Sequence, residues 1–142
     1  MKRLMYVALL VLASCGKHGH DPRLLESIEK FRQAAHARGV DVSACEVPFA
    51  EVADTKEREG GKCHGNGGIT ISSAFVTGFY ATFPNYLEFV VYHELGHCWL
   101  ELEHSETGIM RASAVPFGWD KEKDLDELFA SDFKSDCARR VK

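Results

Sequence analysis

The sequence has no surplus of positive charge and no long apolar run. Its 17 Lys and Arg residues are outnumbered by 21 Asp and Glu residues, which gives a formal net charge of −4. Because nucleic-acid-binding proteins usually show a basic surplus, we expect no nucleic-acid partner. No apolar run reaches the roughly 18 residues that a membrane-spanning helix needs. Only 4 prolines and 12 glycines occur in 142 residues, so we expect a chain that is neither disordered nor fibrous, and its length suits one folded domain.

The N-terminus has the order of parts found in a secretory signal. Lys2 and Arg3 precede a short and mostly apolar stretch, residues 4–12. The next residues, Leu12-Ala13-Ser14-Cys15, resemble the lipobox of bacterial lipoproteins. This resemblance implies cleavage before Cys15 and attachment of lipid to that cysteine. The alternative is an ordinary signal peptide in which Cys15 has no role.

These features predict three parts of the chain. Residues 1–14 would be a lipoprotein signal peptide, residues 15–21 a lipidated tether, and residues 22–142 the folded domain. Lipid chains on the first residue of the mature protein would hold the domain on a membrane surface without spanning it. We therefore expect a lipid-anchored protein of the cell envelope. Gly16, at the position where inner-membrane lipoproteins often carry Asp, favours the outer membrane.

Four further cysteines remain after Cys15, and export would place them in an oxidising compartment. They are Cys45, Cys63, Cys98 and Cys137. An even number of cysteines in an exported chain suggests disulfides, and four cysteines allow three connectivities. We favour the pairs Cys45–Cys63 and Cys98–Cys137, which would close a loop before the central motif and tie the motif to the C-terminus. Zinc ligation by cysteines is the alternative, although no CxxC spacing is present.

The hydrophobic pattern predicts an α+β fold. Apolar residues recur at helical spacing over residues 22–38, after the cap-like pair Asp21-Pro22. Short strands are predicted within residues 40–52 and at Ile69–Ser72. The aromatic stretch 75–83 is ambiguous between strand and helix. Asp120 can cap a C-terminal helix.

A central helix is predicted to begin after Asn85 and to run to about Leu100. Asn85 and Glu88 have the spacing of a capping box. Inside this helix lies His93-Glu94-Leu95-Gly96-His97, whose two histidines are four residues apart and share one helix face. Two imidazoles so placed can bind Zn²⁺, and Glu94 can accept a proton from a water activated by the metal. This is the arrangement of zinc metallopeptidases.

A catalytic zinc normally takes three protein ligands, so a third is required. His104 lies seven residues after His97, which on a continuous helix would place it about 10 Å along the axis. The chain must therefore leave the helix near residues 100–103 and fold back if His104 is the third ligand. Glu127, on the predicted C-terminal helix, is the competing third ligand, as in gluzincin-type peptidases.

Taken together, His93-Glu94-Leu95-Gly96-His97-Cys98, His104-Ser105 and Gly108-Ile109-Met110 resemble the zinc site and Met-turn of metzincin metallopeptidases, and especially short bacterial members. The resemblance covers residues 92–111 most clearly. It implies a small metzincin-like domain with an N-terminal helix, a short mixed sheet, a central zinc-binding helix, a Met-turn and a C-terminal helix. It also implies roles for the site residues: zinc ligands His93, His97 and His104, general base Glu94, and hydrophobic floor Met110.

The sequence departs from the metzincin pattern in two ways. The third histidine comes one residue later than usual, and Leu100-Glu101 stands where the family has a glycine at the end of the helix. By the same resemblance, the strand Ile69–Ser72 is our candidate for binding an extended peptide by strand addition. His64 can also reach the cleft, although a solvent-exposed loop histidine is the simpler interpretation. The hydroxyls of Tyr80, Tyr86 and Tyr92 are candidates to stabilise an oxyanion, with core packing as the alternative.

The predicted function is therefore zinc-dependent hydrolysis of peptide bonds in a peptide or protein substrate, by a protein anchored to a membrane through its N-terminal lipid. The rival hypothesis is a non-catalytic, zinc-stabilised envelope lipoprotein that acts as a binding module. Glu94 favours the enzyme, because a purely structural zinc site does not need it.

Overall fold

The computed structural model of the protein describes residues 19–54, 59–83, 85–112 and 119–141. Within these residues it is a small mixed α+β domain with four helices and two small sheets. The α-helices are α1 Pro22–Ala37, α2 Ser73–Val76, α3 Tyr86–Leu100 and α4 Lys121–Ala130. The strands are β1 Val40–Asp41, β2 Ala50–Ala53, β3 Gly61–Cys63, β4 Ile69–Ser72 and β5 Arg139–Arg140, and a 3₁₀ helix spans Phe79–Thr82.

Helix α1 confirms the prediction made from its cap and its periodicity. The Asp21 side chain accepts a hydrogen bond from the amide of Arg23, and Pro22 occupies the first turn. Both residues reduce the number of unpaired amides in the first turn. Asp21 accepts a hydrogen bond from one of these amides, and proline has no backbone amide hydrogen. The helix ends before Gly39, whose φ of +69° suits a residue without a Cβ.

The larger sheet has the strand order β2-β4-β3. Strand β2 is parallel to β4, whereas β3 is antiparallel to it. Strand β4, Ile69–Ser72, is therefore the central strand and is paired on both sides. The prediction that this strand receives an added peptide is wrong, because its backbone hydrogen-bonding edges are already occupied. The second sheet pairs β1 with β5 and brings the C-terminal segment back to the end of α1.

Helix α3 lies at the centre of the hydrophobic core. Phe31 of α1 is fully buried, and its ring contacts those of Tyr92 and Trp99 on α3 and of Phe129 on α4, at centroid distances of 5.2, 5.7 and 5.2 Å. Burying one aromatic ring among three others contributes both apolar area and favourable edge-on geometry. The three long helices are thus joined through one side chain.

The start of α3 differs from the predicted capping box. Asn85 precedes the helix but adopts a left-handed conformation, with φ of +69°, and its side chain makes no cap hydrogen bond within the described residues. Glu88 is buried, and it accepts a 2.8 Å hydrogen bond from the Tyr92 hydroxyl and pairs with Lys121 of α4. Lys30 of α1 also lies 3.8 Å from this carboxylate, which therefore connects three helices rather than capping one.

The disulfide pairing also differs from the predicted one. Cys45 is bonded to Cys137, with their Cα atoms 4.9 Å apart, and Cys63 is bonded to Cys98 across 5.5 Å. The predicted pairs, Cys45–Cys63 and Cys98–Cys137, are wrong. Pairing of β1 with β5 brings Cys137 back to Cys45, and β3 lies across α3 where Cys98 faces it.

The predicted signal peptide, residues 1–14, and the lipidation site Cys15 lie outside the described residues. At the start of the described chain, the carbonyl of Gly19 and the amide of Asp21 both bond to Ala50 at the beginning of β2. No helix among the described residues has the length and apolar character needed to cross a membrane.

We expect peptide mapping under non-reducing conditions to recover only peptides linked as Cys45–Cys137 and Cys63–Cys98. Replacing the first pair, Cys45→Ala/Cys137→Ala, should lower the free energy of unfolding by about 2–5 kcal/mol, because the bond closes a long loop in the unfolded chain. The exposed neighbour Ala44→Ser should leave stability unchanged. A recovered peptide joining Cys45 to Cys63 would contradict the structure.

Candidate metal site

The C-terminal end of α3 turns the chain so that the third histidine returns to the first two. The helix ends at Glu101, which takes a left-handed conformation with φ of +53° and ψ of +36°. The amides of Glu101 and Leu102 both bond to the carbonyl of Gly96. A non-glycine residue here costs about 1–2 kcal/mol. The turn predicted near residues 100–103 is therefore made without the glycine of the metzincin pattern.

The three predicted ligands converge on one point. Nε2 of His97 lies 3.2 Å from Nε2 of His93, and Nε2 of His104 lies 3.3 Å from the same atom. One ligand nitrogen from each of the three rings falls within 4.8 Å of the other two. Zinc–nitrogen bonds of about 2.0–2.1 Å at a tetrahedral angle require nitrogens about 3.3–3.4 Å apart, which matches the two Nε2 separations to His93. The group can therefore hold a metal ion.

Backbone carbonyls orient two of the imidazoles. Nδ1 of His93 lies 2.7 Å from the carbonyl oxygen of Ile109, and Nδ1 of His97 lies 2.6 Å from that of Leu102. Because a carbonyl oxygen can only accept, each Nδ1 carries the hydrogen and each Nε2 keeps its lone pair for a ligand. This is the tautomer that a metal requires.

Burial keeps these imidazoles neutral. It lowers the pKa of His93 to about 4, partly opposed by the hydrogen bond to Ile109, and it lowers the pKa of His97 as well. A neutral imidazole loses no proton when it binds a cation. The two helix histidines are thus ready to bind a metal at neutral pH.

Met110 packs against α3 at Gly96. It is 6% exposed, and its Sδ and Cε atoms occupy the space where a Cβ on Gly96 would lie. Gly96 lies between His93 and His97 in the sequence of the helix, so its missing side chain lets the methionine approach the backbone there. The carbonyl of Met110 also accepts a hydrogen bond from the amide of Ser105, which fastens the segment that carries His104.

Glu94 is buried against strand β3 and not exposed in an open cleft. Its side chain is 5% exposed, and its carboxylate accepts a hydrogen bond from the backbone amide of Cys63. Burial raises the pKa of Glu94 to about 7, with the Cys63 amide lowering it and the Glu59 charge raising it. A carboxyl group with a pKa near neutrality is suited to both accepting and donating a proton.

Strand β3 has one edge that pairs with no other strand among the described residues. The amide of His64 bonds to the carbonyl of Gly68, and the amide of Ser72 bonds to that of Gly60. Since antiparallel pairing alternates along a strand, the peptide groups of Gly61 and Cys63 point away from β4. The carboxylate of Glu94 reaches the Cys63 amide on this outer edge.

The angular order of residues around α3 agrees with this placement. Successive helix residues are about 100° apart when viewed down the helix axis. The order around α3 is therefore His93, His97, Glu94, Cys98 and then Leu95. Glu94 and Cys98 contact β3, whereas Leu95, further round, faces the buried core to which β4 also belongs. The outer edge of β3 therefore lies on the histidine side of the helix.

The competing third ligand, Glu127, does not join the histidines. It pairs with Lys123 across 3.8 Å and lines a cavity of about 230 Å³ between α4 and the turn that carries Met110. The metal-ligand group found among the described residues consists of His93, His97 and His104. The geometry thus favours His104.

The other sequence candidates, His64 and three tyrosines, also have different surroundings from the metal group. Nε2 of His64 lies 2.9 Å from the Thr70 hydroxyl, which holds this ring against the sheet. The Tyr92 hydroxyl donates to Glu88 on the side of α3 that faces α4. The ring of Tyr80 stacks on Phe75 at 4.5 Å, and Tyr86 is buried.

Sequence reasoning missed the backbone groups of the site. The carbonyls of Leu102 and Ile109 and the amide of Cys63 leave no trace in residue identity, because every residue carries these groups. One signal was available at Gly61, since a glycine inside a strand often marks a close approach of another group. Here that group is Glu94.

Comparison of the chain with protein-family models, with curated proteins and with solved structures found no match.

We expect Gly96→Ala to lower the free energy of unfolding by about 1–3 kcal/mol, because the new methyl group overlaps the Met110 sulfur. Gly65→Ala is the matched control, since no atom lies within 4 Å of its added Cβ. Met110→Ala should lower the free energy of unfolding less in the Gly96→Ala background than in the wild type. Denaturant unfolding of the wild type, the two single variants at Gly96 and Met110 and the double variant measures this difference. Strictly additive effects of the two substitutions would contradict the contact.

Proposed function

We propose that this protein is a zinc-dependent metallopeptidase of metzincin type. The observation that carries the proposal is the convergence of three imidazoles, two of them oriented by backbone carbonyls, with Met110 packed at Gly96 between the two helix histidines and Glu94 next to His93 on α3. Three imidazole ligands favour zinc over magnesium or calcium, which prefer oxygen ligands. A zinc ion bound there would supply a Lewis acid that polarises a carbonyl and activates a water.

Glu94 is the proposed general base. It follows His93 on α3, and its carboxylate lies at the outer edge of β3, which is the edge on the histidine side. From this position it would accept a proton from the attacking water and return it to the leaving amine. Burial of the side chain keeps bulk solvent from competing for that proton.

The proposed substrate is an extended peptide. Among the described residues, the outer-edge backbone groups of Gly61 and the carbonyl of Cys63 pair with no other strand, and an added strand would run along this edge past the histidines while the Cys63 amide stays with Glu94. The strand that we predicted for this role, β4, is one position further into the sheet. This edge, which pairs with no other strand in the described part of the chain, supports a peptide substrate over a small molecule.

We also propose that the protein acts outside the cytoplasm, in the cell envelope, held by a lipid on Cys15. The signal-like N-terminus carries this part of the proposal. Two disulfides within a small domain support it, because such bonds persist in oxidising compartments.

A second candidate function is a non-catalytic, metal-stabilised binding module. Burial of Glu94 to 5% exposure favours this interpretation. In a binding module, its bond to the Cys63 amide would have a structural role alone, that of joining α3 to β3. Removal of the carboxylate distinguishes the two functions, since the module would lose stability alone and the enzyme would lose turnover.

We expect one zinc ion per chain in the purified protein by elemental analysis. His104→Ala should lose the metal, and Glu127→Ala should keep it, because Glu127 faces the cavity beside α4. Zinc at 100 times its dissociation constant should raise the free energy of unfolding by about 2.7 kcal/mol. Loss of zinc in Glu127→Ala alone would favour a gluzincin-type site. A folded wild-type protein without zinc affinity would refute the proposal.

We expect the zinc-loaded protein to cleave members of a peptide library. Glu94→Gln, which keeps the shape of the side chain, should lower kcat by about 100-fold or more and retain zinc. Glu106→Gln is the control, since Glu106 is an exposed carboxylate in the loop after His104. A wild-type protein that binds zinc but cleaves no peptide would favour the binding module.

A further inference from the structure

We propose that strand β3 is a positioning device for Glu94, built from Gly61, the Cys63 amide and the Cys63–Cys98 disulfide. This inference rests on the proposed function for its catalytic consequence. Its structural part, the holding of the carboxylate by the strand, stands on contacts of the described residues. Each of the three components does a different physical task.

The Cys63 amide fixes the direction of the carboxylate. A glutamate side chain has three rotatable bonds, and α3 alone does not select one rotamer. A buried carboxylate also requires a hydrogen-bond donor, because its desolvation is costly. The amide of Cys63 points to the outer edge of β3, and it donates to Glu94 there. The bond thus holds the oxygens on the histidine side of the helix.

Gly61 provides the space that the carboxylate occupies. A Cβ at this position would lie 2.8 Å from Cγ of Glu94 and 3.0 Å from its Oε1. The backbone φ of Gly61 is not in the left-handed region, so alanine is excluded not by backbone strain but by contact with Glu94 and with Cδ1 of Ile71, which lies 3.0 Å from the added Cβ. Any side chain here would displace the carboxylate from its place beside the histidines.

The Cys63–Cys98 disulfide holds the strand against the helix. Strand β3 has only three residues and one neighbouring strand, and short edge strands open easily. The disulfide joins Cys63, whose amide holds Glu94, to Cys98, which directly follows the ligand His97. It therefore fixes the distance between the Cys63 amide, which is the hydrogen-bond donor, and helix α3, which carries the metal ligands. Cys45–Cys137, by contrast, joins the loop after β1 to the C-terminal segment.

The test compares two matched pairs of variants by peptide cleavage and zinc content. Gly61→Ala should lower kcat by about 10-fold or more with zinc content unchanged, because displacement of a catalytic group by about 1 Å is sufficient. Gly65→Ala, in the adjoining turn with no atom near its added Cβ, should keep the wild-type kcat. Cys63→Ala/Cys98→Ala should likewise lose kcat, and Cys45→Ala/Cys137→Ala should retain it below its melting temperature. Equal kcat in Gly61→Ala and Gly65→Ala would overturn the inference.

A second measurement does not depend on turnover. Amide hydrogen exchange at Cys63 should be faster by about 10-fold or more in Glu94→Ala and in Gly61→Ala than in the wild type, because the bond to a charged acceptor is lost. Exchange at His64, which donates to Gly68 in the sheet, is the internal control and should not change. Unchanged exchange at Cys63 would overturn the inference even in an active enzyme. If exchange at Cys63 is faster in these variants but the wild-type protein cleaves no peptide, the positioning role of β3 is supported and the proposed peptidase function is refuted.

Discussion

Hydrogen bonds from two imidazole rings to backbone carbonyls are the interactions on which the site depends. The carbonyl oxygens of Leu102 and Ile109 hold His97 and His93 with Nε2 directed to a common point. Both carbonyls belong to the segment that leaves α3 and returns beneath it. The left-handed turn at Glu101 is what brings that segment back, so one backbone conformation controls ligand direction, tautomer and the position of His104.

Helix α3 can carry this chemistry because the rest of the domain surrounds it. Phe31 joins it to α1 and α4 through aromatic contacts, and Glu88 joins it to α4 through Lys121. The buried Glu88 carboxylate is satisfied by the Tyr92 hydroxyl as well as by lysine, which removes most of the cost of burying its charge. Gly96 leaves one small gap on this crowded helix, and Met110 fills it.

Two carboxylates on α3 show how far local sequence reasoning reaches. Glu88 has the spacing of a capping box, but the capping bond forms only when it is the best partner available. Lys121 and Tyr92 are better partners, and they arrive from 33 residues away in one case and from the next helical turn in the other. Glu94 was predicted as a site residue from its place between the two histidines, whereas its contact with β3 was not foreseen, because strand order is a property of the assembled sheet.

The sequence by itself determined the long helices, the mixed α+β character and the candidate ligands, because periodicity, caps and the spacing of His93 and His97 act over one or two helical turns. Only the tertiary structure decided which cysteines pair, which strand is at the edge, and that His104 joins the other two histidines in place of Glu127. Each of these depends on segments far apart in the chain meeting at one place. Four cysteines are chemically equivalent, and His104 and Glu127 can both bind zinc, until the backbone sets the distances.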